Sequence, residues 1–180
     1  MEIADTSSLL SRLKIEGINV GKERWERLKP FVEPHIGDQV IAFNDAHFAM
    51  ILSQLDENID EYSNLAYLHT KNIKNFVGDK QNMGDNAIIM RDFGEKLCES
   101  INLFNKQKYD KAFDNLYSIK SQFHRLSGSH AQKDIFTQFL VYAGLYSQDK
   151  QKNKKALASN FRNSSLALRI IKNQEEGLFS

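Results

Sequence analysis

The residues best suited to chemistry fall in two places. His124 and His130 stand on either side of a Ser127-Gly128 turn, with Arg125, Ser129 and Gln132 beside them. Asn44, Asp45 and His47 share a second segment, which runs from Gln39 to about Leu55. Imidazole serves as a general base or as a metal ligand. An enzyme of this kind needs Asn44, Asp45, His47, His124 and His130 to converge to within about 4 Å in one pocket. The alternative is a groove in which such side chains meet the polar groups of a bound partner. On that reading Asn44, Asp45, His47, His124, Arg125, Ser129, His130 and Gln132 are candidate binding residues, and none is assigned to catalysis or to a metal.

Spacing favours the second reading. Zinc sites advertise themselves through His-x-x-x-His pairs or Cys/His clusters, and the sequence has neither. It also lacks a Gly-x-Ser-x-Gly elbow and a phosphate-binding glycine loop. Ser129 superficially suggests a nucleophile. However, Ser129-x-x-Gln132 is a capping box, in which the serine hydroxyl takes the Gln132 amide and the Gln132 side chain returns to Ser129. Gly128 suits the C′ position of the preceding helix. The turn is therefore read as structural, and no cofactor is expected.

The elements that must position these residues are helical throughout. Asp5-Thr6-Ser7-Ser8 offers caps for a first helix carrying Leu9, Leu10 and Leu13, closed by Gly17. A second helix runs from Val20-Gly21 through Trp25 and Leu28 until Pro30, which kinks or ends it. The third extends from Gln39 to Leu55, and its stripe of Ile41, Phe48, Ile51, Leu52 and Leu55 places Asn44 near the centre, with Asp45 and His47 on opposite edges. A fourth begins at Asp56-Glu57 and stops at Gly78. A polar loop from Lys80 to Gly84 leads to a fifth helix, capped by Asp85 and reaching Lys106. The sixth covers Tyr109 to Leu126, the seventh starts at Ser129, the eighth runs from Lys150 to Asn163, and Ser164 caps a short ninth through Ile171. No hairpin turn joins alternating apolar runs, so no sheet is expected.

Short connections make successive helices antiparallel neighbours. Tyr109, Ala112, Leu116 and Ile119 have the spacing of a tetratricopeptide B-helix, and Ala143-Gly144 followed by Ala156 repeats the small-residue contact. No period of ~34 residues settles, so the repeats are degenerate. The expectation is one all-α domain over residues 1–180, a right-handed superhelix of about eight or nine helices.

Composition sets the remaining bounds. With 180 residues, 41% hydrophobic and 26% charged, the chain is long enough to bury a core unaided. Its one cysteine, Cys98, fits a reducing compartment. Met1 to Asp5 lacks the basic-then-apolar order of a secretory signal, and the longest apolar run, Phe139 to Tyr146, is far short of the roughly 18 residues that span a bilayer. A cytoplasmic protein without a membrane partner is expected. Residues 1–100 carry 11 Lys and Arg against 17 Asp and Glu, whereas residues 101–180 carry 13 against 6. The densest basic run, Lys150 to Lys155, has no interleaved aromatics or recognition motif, so it reads as a solvated helix start and not as a nucleic-acid site.

Ser129-His130-Ala131-Gln132-Lys133-Asp134, preceded by Ser127-Gly128, resembles the Gly-Gly-Ser-x-Ala-Gln-Arg-Asp signature of the tetratricopeptide repeat protein 38 family. Three more blocks are similar to that family and occur in its order. These are Leu9 to Leu13 with Glu16 to Gly21 and Arg24-Trp25, then Ala42 to Met50, then Arg91 to Gly94 with Leu97-Cys98. The similarity extends over residues 3–172 and corresponds to the C-terminal part of longer family members. It implies a helical-repeat scaffold that binds a protein or peptide segment, either from another protein or from an N-terminal repeat region. It implies no reaction. Ser127 stands where the family has the first glycine of its turn, a replacement compatible with the turn only where that position avoids positive φ. The leucines of the first helix should pack on something, because terminal repeats need a polar outer face.

Overall fold

Glycine and proline punctuation shapes the N-terminal third. In the computed structural model, which describes residues 3–55 and 64–158, α1 (Ile3–Ile15) ends in a Schellman motif. Gly17 adopts φ 83°, its N–H donates to Lys14 O, and Ile18 N–H reaches Leu13 O, both at 2.9 Å. Asp5 to Ser8 do not cap this helix; it begins at Ile3, and their side chains belong to its body. α2 (Lys22–Glu26) is interrupted before Pro30, which occupies the first turn of α3 (Lys29–Val32), where its missing N–H is tolerated. A 3₁₀ turn, Glu33–His35, follows.

α4 (Ala42–Leu55) starts three residues later than its periodicity suggests, because Gln39 takes φ 41° and turns the chain. α5 (Leu65–Gly78) is capped by Asn64, whose side chain accepts from the amides of Ala66 and Tyr67. The expected start of that helix at Asp56-Glu57, with Ile59 and Tyr62, lies outside the described residues. α6 (Asp85–Ile89) passes through a π turn, Met90–Gly94, into α7 (Glu95–Asn105). Gly94 permits this turn to press against α4, since an added Cβ would lie 3.2 Å from Ala42 Cβ and 2.6 Å from Met90 Sδ.

α8 (Tyr109–Ile119) tightens into a 3₁₀ segment, Lys120–Arg125, and the chain leaves it extended at Leu126. Gly128, at φ 91°, therefore serves the turn into α9 (His130–Tyr146) and is not the C′ residue of the preceding helix. Ser127 is not among the positive-φ residues, so the turn accepts a serine there. The Ser129/Gln132 capping box forms as expected. α10 (Lys150–Ala158) completes the described chain; the expected extension to Asn163 and the ninth helix lie outside it.

Among the described residues every regular element is helical and no strand occurs. No helix among them is long and apolar enough to cross a membrane. α7, α8, α9 and α10 pack successively, each on the next. Small residues set the closest approach: Gly144 of α9 lies against Ala156 of α10 and Phe113 of α8, and Ala112 is fully buried. Asn153 of α10 donates to the carbonyls of Gly144 (2.7 Å) and Ser147 (2.9 Å), satisfying the end of α9.

α1 departs from chain order. It packs on both α4 and α9, with Arg12 paired to Asp134 at 2.8 Å and Tyr146 donating to Ile15 O at 3.2 Å. Its leucines divide: Leu10 is buried with Val20, Trp25, Leu28, Val32 and Ile51, Leu13 packs at the edge of that cluster, and Leu9 stays exposed.

Candidate functional site

The first turns of α4 define the site. Asn86 holds their entry, accepting from the Ala42 amide at 2.8 Å and donating to Gln39 O at 2.5 Å, so one side chain caps the helix and pins the turn before it. The Gln39 side chain also bonds back to Ile36 O at 2.8 Å. A cleft of about 540 Å³ opens over this region. Ile41, Asn44 and Phe48 line it, together with Phe31, Val40, Ile3 and Gln132.

Periodicity finds only part of the buried surface of α4: Ile51 and Leu52 of the expected stripe are buried, with Phe48 and Leu55 packed against the same clusters. Asn44 is exposed and not buried mid-stripe, whereas Ala42, Phe43, Ala46, Ala49 and Met50 enter the main core. Asp45 and His47 also line the cleft, and each is only 1% exposed.

His47 sits between aromatic rings, its centroid 4.4 Å from Phe43 and 5.7 Å from Phe136. Its Nδ1 lies 2.8 Å from Ser7 Oγ. Burial lowers its pKa to about 4; Asp5 draws it up and Arg12 pushes it further down. The ring is consequently neutral at neutral pH. On the other flank Asp45 Oδ1 lies 3.2 Å from Nε2 of His69, a fully buried residue of α5. Asp45 Oδ2, His47 Nε2 and His69 Nδ1 are buried with no hydrogen-bond partner among the described residues. Such groups are costly unless a water or a ligand completes them.

Ser7 beside His47 has the make-up of a nucleophile and base, but the surroundings oppose that role. Ser7 is fully buried and does not line the cleft, and its hydroxyl also reaches Ala4 O at 3.1 Å. A base with a pKa of about 4 is also poorly matched to proton abstraction at neutral pH.

The other candidates lie elsewhere. His124 is exposed, with Nδ1 2.7 Å from Ser121 O, and His130 is exposed on the first turn of α9. Neither lines the cleft, so the five-residue constellation of Asn44, Asp45, His47, His124 and His130 is not assembled. Arg125 pairs with Asp92 at 2.7 Å and lies over the Phe93 ring. Ser129 caps α9. Gln132 alone of that segment joins the cleft, and its Nε2 donates to Asp5 at 2.9 Å. The described residues hold no group of three or more His, Cys, Asp or Glu side chains arranged for a metal ion.

Ser7, His69 and the His35–Asp38 pair at the cleft rim (2.7 Å) escaped the sequence reading. A signal for the first did exist: Ser7, Ser11 and Ile15 recur every four residues, the spacing of one buried helix face. No protein-family model matches this chain, and no solved structure matches it.

Proposed function

We propose that this chain is a non-catalytic, tetratricopeptide-like helical binding module of the cytoplasm, whose α4 cleft receives a segment of a partner protein. The observation that carries this reading is the cleft itself, a concavity lined by exposed Phe31, Val40 and Ile41, with Asn44, Asp45 and His47 among its polar groups. Apolar concavities with few polar groups are the usual form of a binding site. The successive packing of α7 to α10 supports the helical-repeat reading, as does the resemblance of the Ser129-to-Asp134 block to the tetratricopeptide repeat protein 38 family. Cys98 is buried, and burial raises its thiol pKa well above the ordinary range, which suits a structural residue.

The test is affinity capture by the full chain, run beside a Val40→Glu/Ile41→Glu variant. Both positions are exposed, so the charges block the cleft without disturbing the core. Proteins retained by the wild type and lost by the variant are the expected result. Identical recovery by both, or turnover of a substrate that His47→Asn abolishes, overturns the reading.

A further inference from the structure

We infer that the cleft selects a partner segment bearing a lysine or arginine set between apolar side chains; this rests on the reading of the cleft as a protein-binding site. Three observations converge on that chemistry. The first is charge. Asp38 and Asp45 line the cleft, beside His35 and His69 respectively, and among the described residues neither a lysine nor an arginine does. A concavity whose described lining holds two carboxylates and no lysine or arginine favours a positive ligand group and disfavours a negative one.

The second is hydrogen-bonding polarity. The Ser7 hydroxyl donates to Ala4 O, which leaves an oxygen lone pair for Nδ1–H of His47. In that tautomer Nε2 carries a lone pair and no proton. Asp45 Oδ2 is likewise an acceptor, and both atoms lack a partner among the described residues. Asp45 and His47 both line the cleft, so a ligand group that reaches either of these buried acceptors is best served by carrying N–H donors. Ammonium and guanidinium groups carry donors and no acceptor.

The third is the lining around these groups. Ile41 and Phe48 suit the methylene stem of a long basic side chain, which buries its carbons while its head finds polar atoms. Phe31, Phe43 and Phe48 also line the cleft, and an aromatic ring attracts a cation that lies over its face. Phe31 and Val40 then remain to receive the flanking apolar residues of the segment.

The test is selection of phage-displayed random short peptides on the full chain, followed by fluorescence anisotropy on synthetic copies. Enriched sequences are expected to carry a central lysine or arginine, and replacing a central lysine by norleucine should weaken binding about tenfold or more, the scale of one charge-assisted contact. Asp38→Asn and Asp45→Asn should each narrow that gap between the two peptides. Asp38 lies on the exposed rim, so its variant gives an answer even where the buried Asp45 change unfolds the protein. Enriched peptides without a basic residue, whose binding Ile41→Glu abolishes, overturn the selectivity and leave the binding reading standing. Absence of enrichment, or enrichment indifferent to Ile41→Glu, overturns both. Benzylammonium binding as tightly as the peptides, with the same aspartate dependence, assigns the cleft to a small amine and overturns the peptide partner.

Discussion

Ser7 Oγ and His47 Nδ1 meet at 2.8 Å across 40 residues of sequence, closing α1 onto α4 where neither side chain is open to solvent. That contact makes stability depend on pH in a definite direction. Burial depresses the His47 pKa from 6.5 to about 4, so between those values the unfolded chain takes up a proton that the folded chain refuses. The contribution of neutral His47 is complete above pH 6.5 and declines as the pH falls toward 4. Its full loss is about 3 kcal/mol, at about 1.4 kcal/mol per pKa unit. His47→Asn keeps a donor near Ser7 and removes the titration. Urea midpoints of wild type and variant, compared from about pH 7 to about pH 4.5, should therefore draw together as the pH falls. Parallel curves would exclude His47 as the responsible group.

Asp45 and His69 form the second buried clasp, this time between α4 and α5. Removing one partner of such a pair strands the other in a low-dielectric interior. His69→Leu should cost about 3–5 kcal/mol, while Asp45→Leu/His69→Leu should recover much of that loss. Denaturant titration of the two single variants and the double gives the coupling energy directly. Additive losses would show that the pair is only packed and not coupled.

Part of the local punctuation was legible in the sequence, because Gly17 and the Ser129/Gln132 box act within a few residues of themselves. The facing of α4 was legible only in part, through Ile51 and Leu52. A hydrophobic stripe locates the buried side of a helix only when the opposite side meets water. α4 is covered by α1, α5 and α7, and its small residues Ala42, Ala46 and Ala49 turn inward where those neighbours approach. The longer apolar residues Ile41 and Phe48 were left to line the cleft. Asp45 and His47 were recognised as flanking positions, but their partners Ser7 and His69 come from other helices. No spacing within α4 encodes either contact.

Ser129 distinguishes a structural turn from a reactive one. Its side chain accepts from Gln132 N at 3.2 Å, and the Gln132 side chain accepts from Ser129 N at 2.9 Å. Ser129→Ala should lower stability by about 1 kcal/mol, and Ser129→Asp, which caps equally well, should restore it. Thermal melts check both. An unchanged melt for Ser129→Ala would remove the capping role.

Gly144 fixes how closely three helices meet. A Cβ there would lie 2.5 Å from Ala156 Cβ and 2.8 Å from the Phe113 ring, distances that force one helix to move. Gly144→Ala should destabilise by about 1–3 kcal/mol, the usual effect of overpacking. Ala156→Gly in the same chain should return part of it by vacating the nearer contact. A melting temperature insensitive to Gly144→Ala would show that α10 is held less closely than its geometry indicates.

Gln107 repeats the architecture of Gly17 with an ill-suited residue. Both are C′ positions of Schellman motifs: Gln107 N–H donates to Phe104 O and Lys108 N–H to Leu103 O, each at 2.9 Å, just as Gly17 and Ile18 close α1. Gln107 has φ 58°, a conformation in which a Cβ crowds the neighbouring carbonyl by roughly 1–2 kcal/mol. Glycine avoids that strain but loses more backbone entropy on folding, so Gln107→Gly should stabilise by about 0.5–1 kcal/mol net. The reciprocal change, Gly17→Gln, should destabilise by a similar amount for the same reason. Opposite shifts of the two denaturation midpoints, measured on single variants, are the expected signature. Shifts of the same sign would mean that contacts of the Gln107 side chain, and not the turn geometry, decide the energy of that helix end.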